Sequence, residues 1–257
     1  MYQLLILNTS FFTAFAVILS IIKKRVKTEL TKNILLLVAP IITLLVHYSQ
    51  FIYDVMTGGD IMAHLSANPN LYMPLYPCNI VMWLTLIFAL LKNKNSKFGE
   101  FCVDFIFWFG VAAAVIGMFA NEDFIRTKSI ADYAILKSII AHATLLFNVL
   151  LLPIFGYVKI DVKRNFKNII ISLLMMGIIG AYCTLIFHAL VSEAQAYFIN
   201  SMFIVHSPFA GLDFLTYPVV ALIAVPVYFV LFVVCDLCAH KKGERFYNKT
   251  KNNRFSG

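Results

Sequence analysis

Seven stretches of this chain, near 4–22, 33–56, 73–91, 98–120, 133–157, 168–191 and 217–239, are apolar over about the ~20 residues that an α-helix needs to cross hydrocarbon. Such runs leave the backbone few options. In lipid every N–H and C=O must be paired within the protein, so apolar segments of this length become helices and bundle together. Charged residues make up only 13% of the chain and hydrophobic ones 61%, against roughly a quarter charged in soluble domains. The pattern predicts an all-α fold: a polytopic membrane helix bundle of about seven transmembrane helices. The first run lacks a charged leading region and a small-residue cleavage site, so it reads as a retained span and not as a signal peptide.

The connectors carry the orientation. Lys and Arg fall five in 23–32, three in 92–97, four in 158–167 and six after His240, whereas the alternate connectors 57–72, 121–132 and 192–216 hold only Arg126 and Lys128. The positive-inside rule then puts the N-terminus outside and the C-terminus in the cytoplasm. The formal net charge of +8 is accounted for by topology, and nucleic acid is not an expected partner. Residues 1–240 read as a single seven-span transmembrane domain. Residues 241–257 read as a basic cytoplasmic tail, disordered and able to attract anionic headgroups. The use of 16 Lys to 5 Arg, with many Asn and Ile, points to an AT-rich bacterial genome and hence to a multi-pass protein of a bacterial plasma membrane.

Ionisable and polar residues inside spans are costly and tend to mark function. His47, with Gln50 and Asp54, lies in the second span; Lys137, Ser138 and His142 lie in the fifth, and His188 near the outer end of the sixth. Glu100 and Asp104 sit one turn apart at the inner end of the fourth and read as a structural pair. Counted from the outer side at ~1.5 Å per residue, Cys78 is expected ~8 Å deep and His47 and His142 ~14 Å. Cysteines occur at 78, 102, 183, 235 and 238, an odd and scattered set that argues against a disulfide framework. Cys235, Cys238 and His240 have the spacing of half a metal site, but no further ligands accompany them. Gly110, Ala112, Ala113, Ala114 and Gly117, and also Gly177, Gly180 and Ala181, are small residues suited to close helix packing.

The segment Met73-Pro74-Leu75-Tyr76-Pro77-Cys78-Asn79 places a thiol beside two prolines at the mouth of the third span. Pro77 lacks a backbone donor and is expected to leave a carbonyl unpaired near Cys78. A cysteine beside irregular backbone, with histidines on other spans in reach, is a candidate nucleophile.

These residues carry a resemblance. Pro74-Leu75-Tyr76-Pro77-Cys78-Asn79 resembles the signature of bacterial YwaF-like integral membrane proteins and of their eukaryotic relative, transmembrane protein 164. Phe105-Ile106-Phe107-Trp108-Phe109-Gly110, Ser138-Ile139-Ile140-Ala141-His142, and Asn200-Ser201-Met202-Phe203 with Ser207-Pro208 in the last outer loop are similar to further motifs of that family, in the same order. The resemblance spans roughly residues 35–235. It implies a seven-pass protein whose eukaryotic member is regarded as a cysteine-dependent acyltransferase remodelling phospholipids. The nucleophile maps onto Cys78 and its histidine partner onto His142.

Taken together, the expected activity is transfer of a fatty acyl chain between phospholipid and lysophospholipid through a Cys78 thioester, with His142 as base. Asn79 and Asn148 are candidate donors to the oxyanion, Asn200 is placed to close over the headgroup, and His47 and Lys137 complete the substrate-binding set. Ester and thioester are close in reactivity, so no metal, nucleotide or other cofactor is required. Two alternatives stand beside this reading. A small-solute transporter would make use of Pro40, Pro153, Pro218 and Pro226 as breaks in spans, and a receptor-like or scaffold protein would use its polar residues only to lock helices. The charge pattern makes a prediction of its own: a fluorescent protein fused after residue 257 should fluoresce in cells, and alkaline phosphatase at the same point should be inactive. The reverse pair of signals would overturn the orientation.

Overall fold

The computed structural model describes residues 2–58, 76–119, 131–190, 201–205, 207 and 212–246. Among them the secondary structure is helical throughout: α1 (Tyr2–Arg25), α2 (Glu29–Met56), α3 (Pro77–Leu90), α4 (Lys97–Phe119), α5 (Tyr133–Ile154), α6 (Val162–Leu190) and α7 (Tyr217–Ala239), with 3-10 turns at Ser201–Phe203 and Lys242–Glu244. Each predicted span is matched by a helix, and six of the helices are long and apolar enough to cross a membrane. The exception is α3. Its 14 residues reach ~21 Å, short of the ~30 Å hydrocarbon core.

Local chemistry sets the helix ends. Thr28 accepts from the Thr31 N–H at 3.2 Å at the start of α2, Ser96 accepts from the Gly99 N–H at 3.1 Å at the start of α4, and Asp132 accepts from the Ala134 N–H at 2.8 Å at the start of α5. These are side-chain oxygens filling the orphan donors of a first turn. Gly156, in the left-handed region at φ 80, ends α5. The next residue, Tyr157, donates its N–H to the Leu152 carbonyl at 3.0 Å. Tyr157 then lies edge-on to Phe88, 5.3 Å between ring centroids, and burial pushes its hydroxyl pKa up.

The helices group into two compact units, residues 1–157 and 158–257. In the first, α5 packs against α4, α2 and α1, and α3 packs against α4 and α2. The closest approach is made by glycine. A Cβ on Gly110 would meet Val149 Cγ2 at 2.6 Å and Val81 Cγ1 at 3.0 Å, so α3 and α5 both rest on the α4 backbone at this level. Buried polar groups join the helices elsewhere. Asn8, fully buried in α1, donates to the Met118 carbonyl of α4 at 2.9 Å. Asn148 of α5 donates to Thr43 Oγ1 of α2 at 2.8 Å, and Tyr133 of α5 donates to Ser49 Oγ of α2 at 2.6 Å. Large apolar side chains such as Leu45, Ile52, Leu174, Leu185, Leu222 and Val230 are exposed, as expected where lipid is the solvent.

In the second unit, Phe166 of α6 meets Phe229 of α7 edge-on at 5.3 Å. The Tyr217 ring of α7 packs on Gly177, and its hydroxyl donates to the Leu173 carbonyl. Ser201–Phe203, expected in an outer loop, are not simply exposed there. Ser201 and Met202 are fully buried, Met202 lies against Gly180 of α6, and Met202 and Phe203 have left-handed φ values of 53 and 58. Gly180 is ~15 Å from the C-terminal end of α6 by helical rise. Non-helical backbone at such depth is tolerated where protein buries it, which the notch at Gly180 achieves.

At the other end of α7, Asp236 is 4% exposed. It accepts from His240 Nδ1 at 2.9 Å and from the Phe246 N–H at 2.9 Å. The histidine of the half metal motif is thus held by a carboxylate, and residues 241–246 of the tail fold back onto the helix end.

The packing at Gly110 predicts that Gly110→Ala destabilises the first unit by about 1–3 kcal/mol, the usual cost of overfilling a packed interior. Thermal unfolding in detergent checks it, the variant melting below the native chain.

Candidate functional site

Cys78 occupies the second position of α3, after N-cap Tyr76 and Pro77. The sequence reading expected Pro77 to leave a carbonyl unpaired. The structure places it at the first helical position, where the missing N–H is an orphan in any helix and its fixed φ suits the turn. The local backbone is therefore regular, and what Cys78 gains is a helix N-terminus. Asn79 Oδ1 accepts from the Tyr76 N–H at 3.2 Å, half of a capping box. The Asn79 N–H donates to the Tyr76 carbonyl at 3.0 Å, and Cys78 lies in the first turn, near the positive end of the helix dipole. Cys78 is partly exposed, whereas Cys102 and Cys183 are buried.

His142 lies on α5 with its ring over Gly117 of α4, so close that any Cβ there would overlap the imidazole. Its Nδ1 is 2.8 Å from the Ser138 carbonyl one turn earlier. A carbonyl only accepts, so Nδ1 carries the proton and Nε2 keeps its lone pair. The ring is fixed in the tautomer that a base requires.

The α4 face relates the two residues. Gly110 and Gly117 are seven residues apart on one stripe, with the small, buried Ala114 between them. Val81 of α3 and Val149 of α5 both meet Gly110. From that level Cys78 is one turn outward along α3, ~4.5 Å, and His142 is two turns outward along α5, ~10.5 Å. The levels of Cys78 and His142 along the bundle thus differ by ~6 Å. By helical rise from the Gly110 level, the order of Cys78 and His142 along the bundle is the reverse of the expected one, and α3 begins at Pro77. Among the described residues no hydrogen bond joins the sulfur to the imidazole, whose Nδ1 is taken by Ser138.

The remaining expected site residues are distributed. His47 is buried on α2, edge-on to Tyr48 at 5.0 Å, one turn outward of Thr43 on the face that meets α5. Lys137 is half-buried at the outer end of α5. Asn148 is bound to Thr43, and it lines a small cavity with Thr85 and Phe88 of α3. Thr85 is two turns, ~10 Å, inward of Cys78, so the Asn148 carbonyl oxygen serves a level below the thiol. His188 is exposed on α6 in the second unit, and Asn200 lies outside the described residues. Sequence reasoning took Gly117 as packing alone and did not single out Thr43. The seven-residue spacing of Gly110 and Gly117, mirrored by His142 and Val149, was the signal that could have paired α4 with α5 in this register.

The seat on Gly117 predicts that Gly117→Ala displaces the imidazole. Nitrogen NMR of histidine-labelled protein in lipid should show a protonated Nδ1 and bare Nε2 for His142 in the native chain, and a mixture in the variant. An unchanged tautomer ratio would show that the glycine does not set the ring.

The family model described as TMEM164 family matches residues 1–236. No curated protein matches the chain. No solved structure does either.

Proposed function

Because the chain belongs to the TMEM164 family of membrane proteins, we propose that it is a cysteine-dependent acyltransferase that moves a fatty acyl chain between phospholipid and lysophospholipid. The observation that carries this is the His142 ring, held by Ser138 as the Nε2 base on the α4 helix that also packs against α3, the helix of Cys78.

The reaction proceeds in two balanced halves. The Cys78 thiol gives its proton to His142 Nε2, the sulfur attacks the ester carbonyl, and the C–O bond to the glycerol oxygen breaks. His142 returns the proton to that oxygen, so lysophospholipid leaves and the acyl group stays on Cys78 as a thioester. A second lysophospholipid then gives its hydroxyl proton to Nε2, its oxygen attacks the thioester, and the Cys78 thiol is regenerated. The carbonyl oxygen, negative in each tetrahedral intermediate, faces the donors of the α3 N-terminus and the Asn79 amide. His47 and Lys137, on α2 and α5, receive the polar headgroup. Covalent relay of this kind gives ping-pong kinetics and needs no energy source beyond the ester.

In purified protein reconstituted with an acyl-labelled phospholipid and an unlabelled lysophospholipid of a different headgroup, label should appear in diacyl phospholipid that carries the second headgroup. Cys78→Ala should abolish it, and His142→Gln should lower the rate by about 10²–10⁴, the usual contribution of a positioned acid–base group. Full exchange by Cys78→Ala would overturn the assignment of the nucleophile, and absence of exchange by the native chain would overturn the reaction.

A further inference from the structure

Pro40 lies inside α2 and has no N–H, so the carbonyl of Leu36, four residues earlier, loses its helical partner. In hydrocarbon no solvent replaces that partner. Leu36 and Pro40 line a small cavity of ≈ 10 Å³ whose further walls include Thr85 and Phe88 of α3 and Asn148 and Leu151 of α5. Asn148 is 3% exposed. Its amide donates to Thr43, but its Oδ1 has no protein donor.

The neighbouring hydroxyls do not fill the deficit. Thr85 donates to the Met82 carbonyl at 2.7 Å, and Thr43 to the Ala39 carbonyl at 3.3 Å. The cavity is thus lined by one buried acceptor without a protein donor, Asn148 Oδ1, and by Leu36, whose carbonyl has lost its helical donor to Pro40. A buried acceptor left without a donor is destabilising.

We propose that this cavity is a binding site for one structural water, which donates one hydrogen to Asn148 Oδ1 and the other to the Leu36 carbonyl. Three features select the ligand. The volume matches the ~10–15 Å³ that one water occupies by this measure. The deficit is of two donors, and water supplies two. No carboxylate lines the cavity, so a cation would meet no opposing charge. The water joins α2 to α5 beside the Thr43–Asn148 bond and makes Pro40 tolerable in the middle of a span. It assigns Asn148 to holding helices together, independently of the acyl transfer proposed above.

The test is proton-detected solid-state NMR on the full chain in liposomes with labelled asparagine, read as magnetisation transfer from water to the Asn148 side chain. The Asn148 signals are identified by their loss in Asn148→Ala. The native chain should show strong transfer at Asn148. Pro40→Ala, which returns a donor to the Leu36 carbonyl, should lose most of it. Absence of transfer in the native chain overturns the proposal without recourse to any variant. Transfer that requires sodium, vanishing when choline replaces it, overturns it in favour of a cation site. Undiminished transfer in a folded Pro40→Ala removes the Leu36 carbonyl from the site and overturns the bridging geometry.

Discussion

The contact of α3 and α5 with the bare backbone of α4 is the interaction on which the first unit depends. Lipid is as apolar as leucine, so helices gain little by hiding hydrocarbon from it, and van der Waals fit must hold them together. Gly110 provides that fit by letting Val81 and Val149 reach the α4 main chain. Two turns further out Gly117 does the same for an imidazole. One stripe of small residues therefore brings together the helices and also seats the histidine beside the helix that carries Cys78.

Polar groups in the bundle divide by how they are satisfied. Asn8 spends its amide on a carbonyl of α4, Tyr133 spends its hydroxyl on Ser49, and Asp236 takes two donors from the chain that follows it. These are closed arrangements and hold helices or ends in place. His142 differs, because its Nδ1 is engaged within its own helix and its Nε2 is left as a base. Asn148 differs again, with one amide hydrogen given to Thr43 and an Oδ1 that no protein donor reaches, at the edge of a cavity. A residue with one committed and one open atom is held in orientation while keeping a capacity to react or bind.

The short α3 constrains where the site can lie. A helix of 14 residues falls short of the hydrocarbon thickness, so its two ends cannot both reach the headgroups.

The number of helices, their all-α character and most of their ends were legible in the chain, because hydrocarbon thickness and backbone pairing impose one rule on every segment and Thr28, Ser96 and Asp132 mark first turns by their own chemistry. The candidate pair Cys78 and His142 was also legible as residue types, since thiols and imidazoles are few in an apolar chain. What the sequence could not decide was register. Pro74 and Pro77 equally mark a helix start, and only the packed structure shows that α3 begins at Pro77, which places Cys78 in a first turn, and that the order of Cys78 and His142 along the bundle is the reverse of the expected one. The seat of His142 on Gly117, the partner of Asn148 and the burial of Ser201 and Met202 against Gly180 likewise came from tertiary structure alone. Each depends on which faces of distant helices meet, and a hydropathy pattern that is apolar all round leaves those faces unmarked.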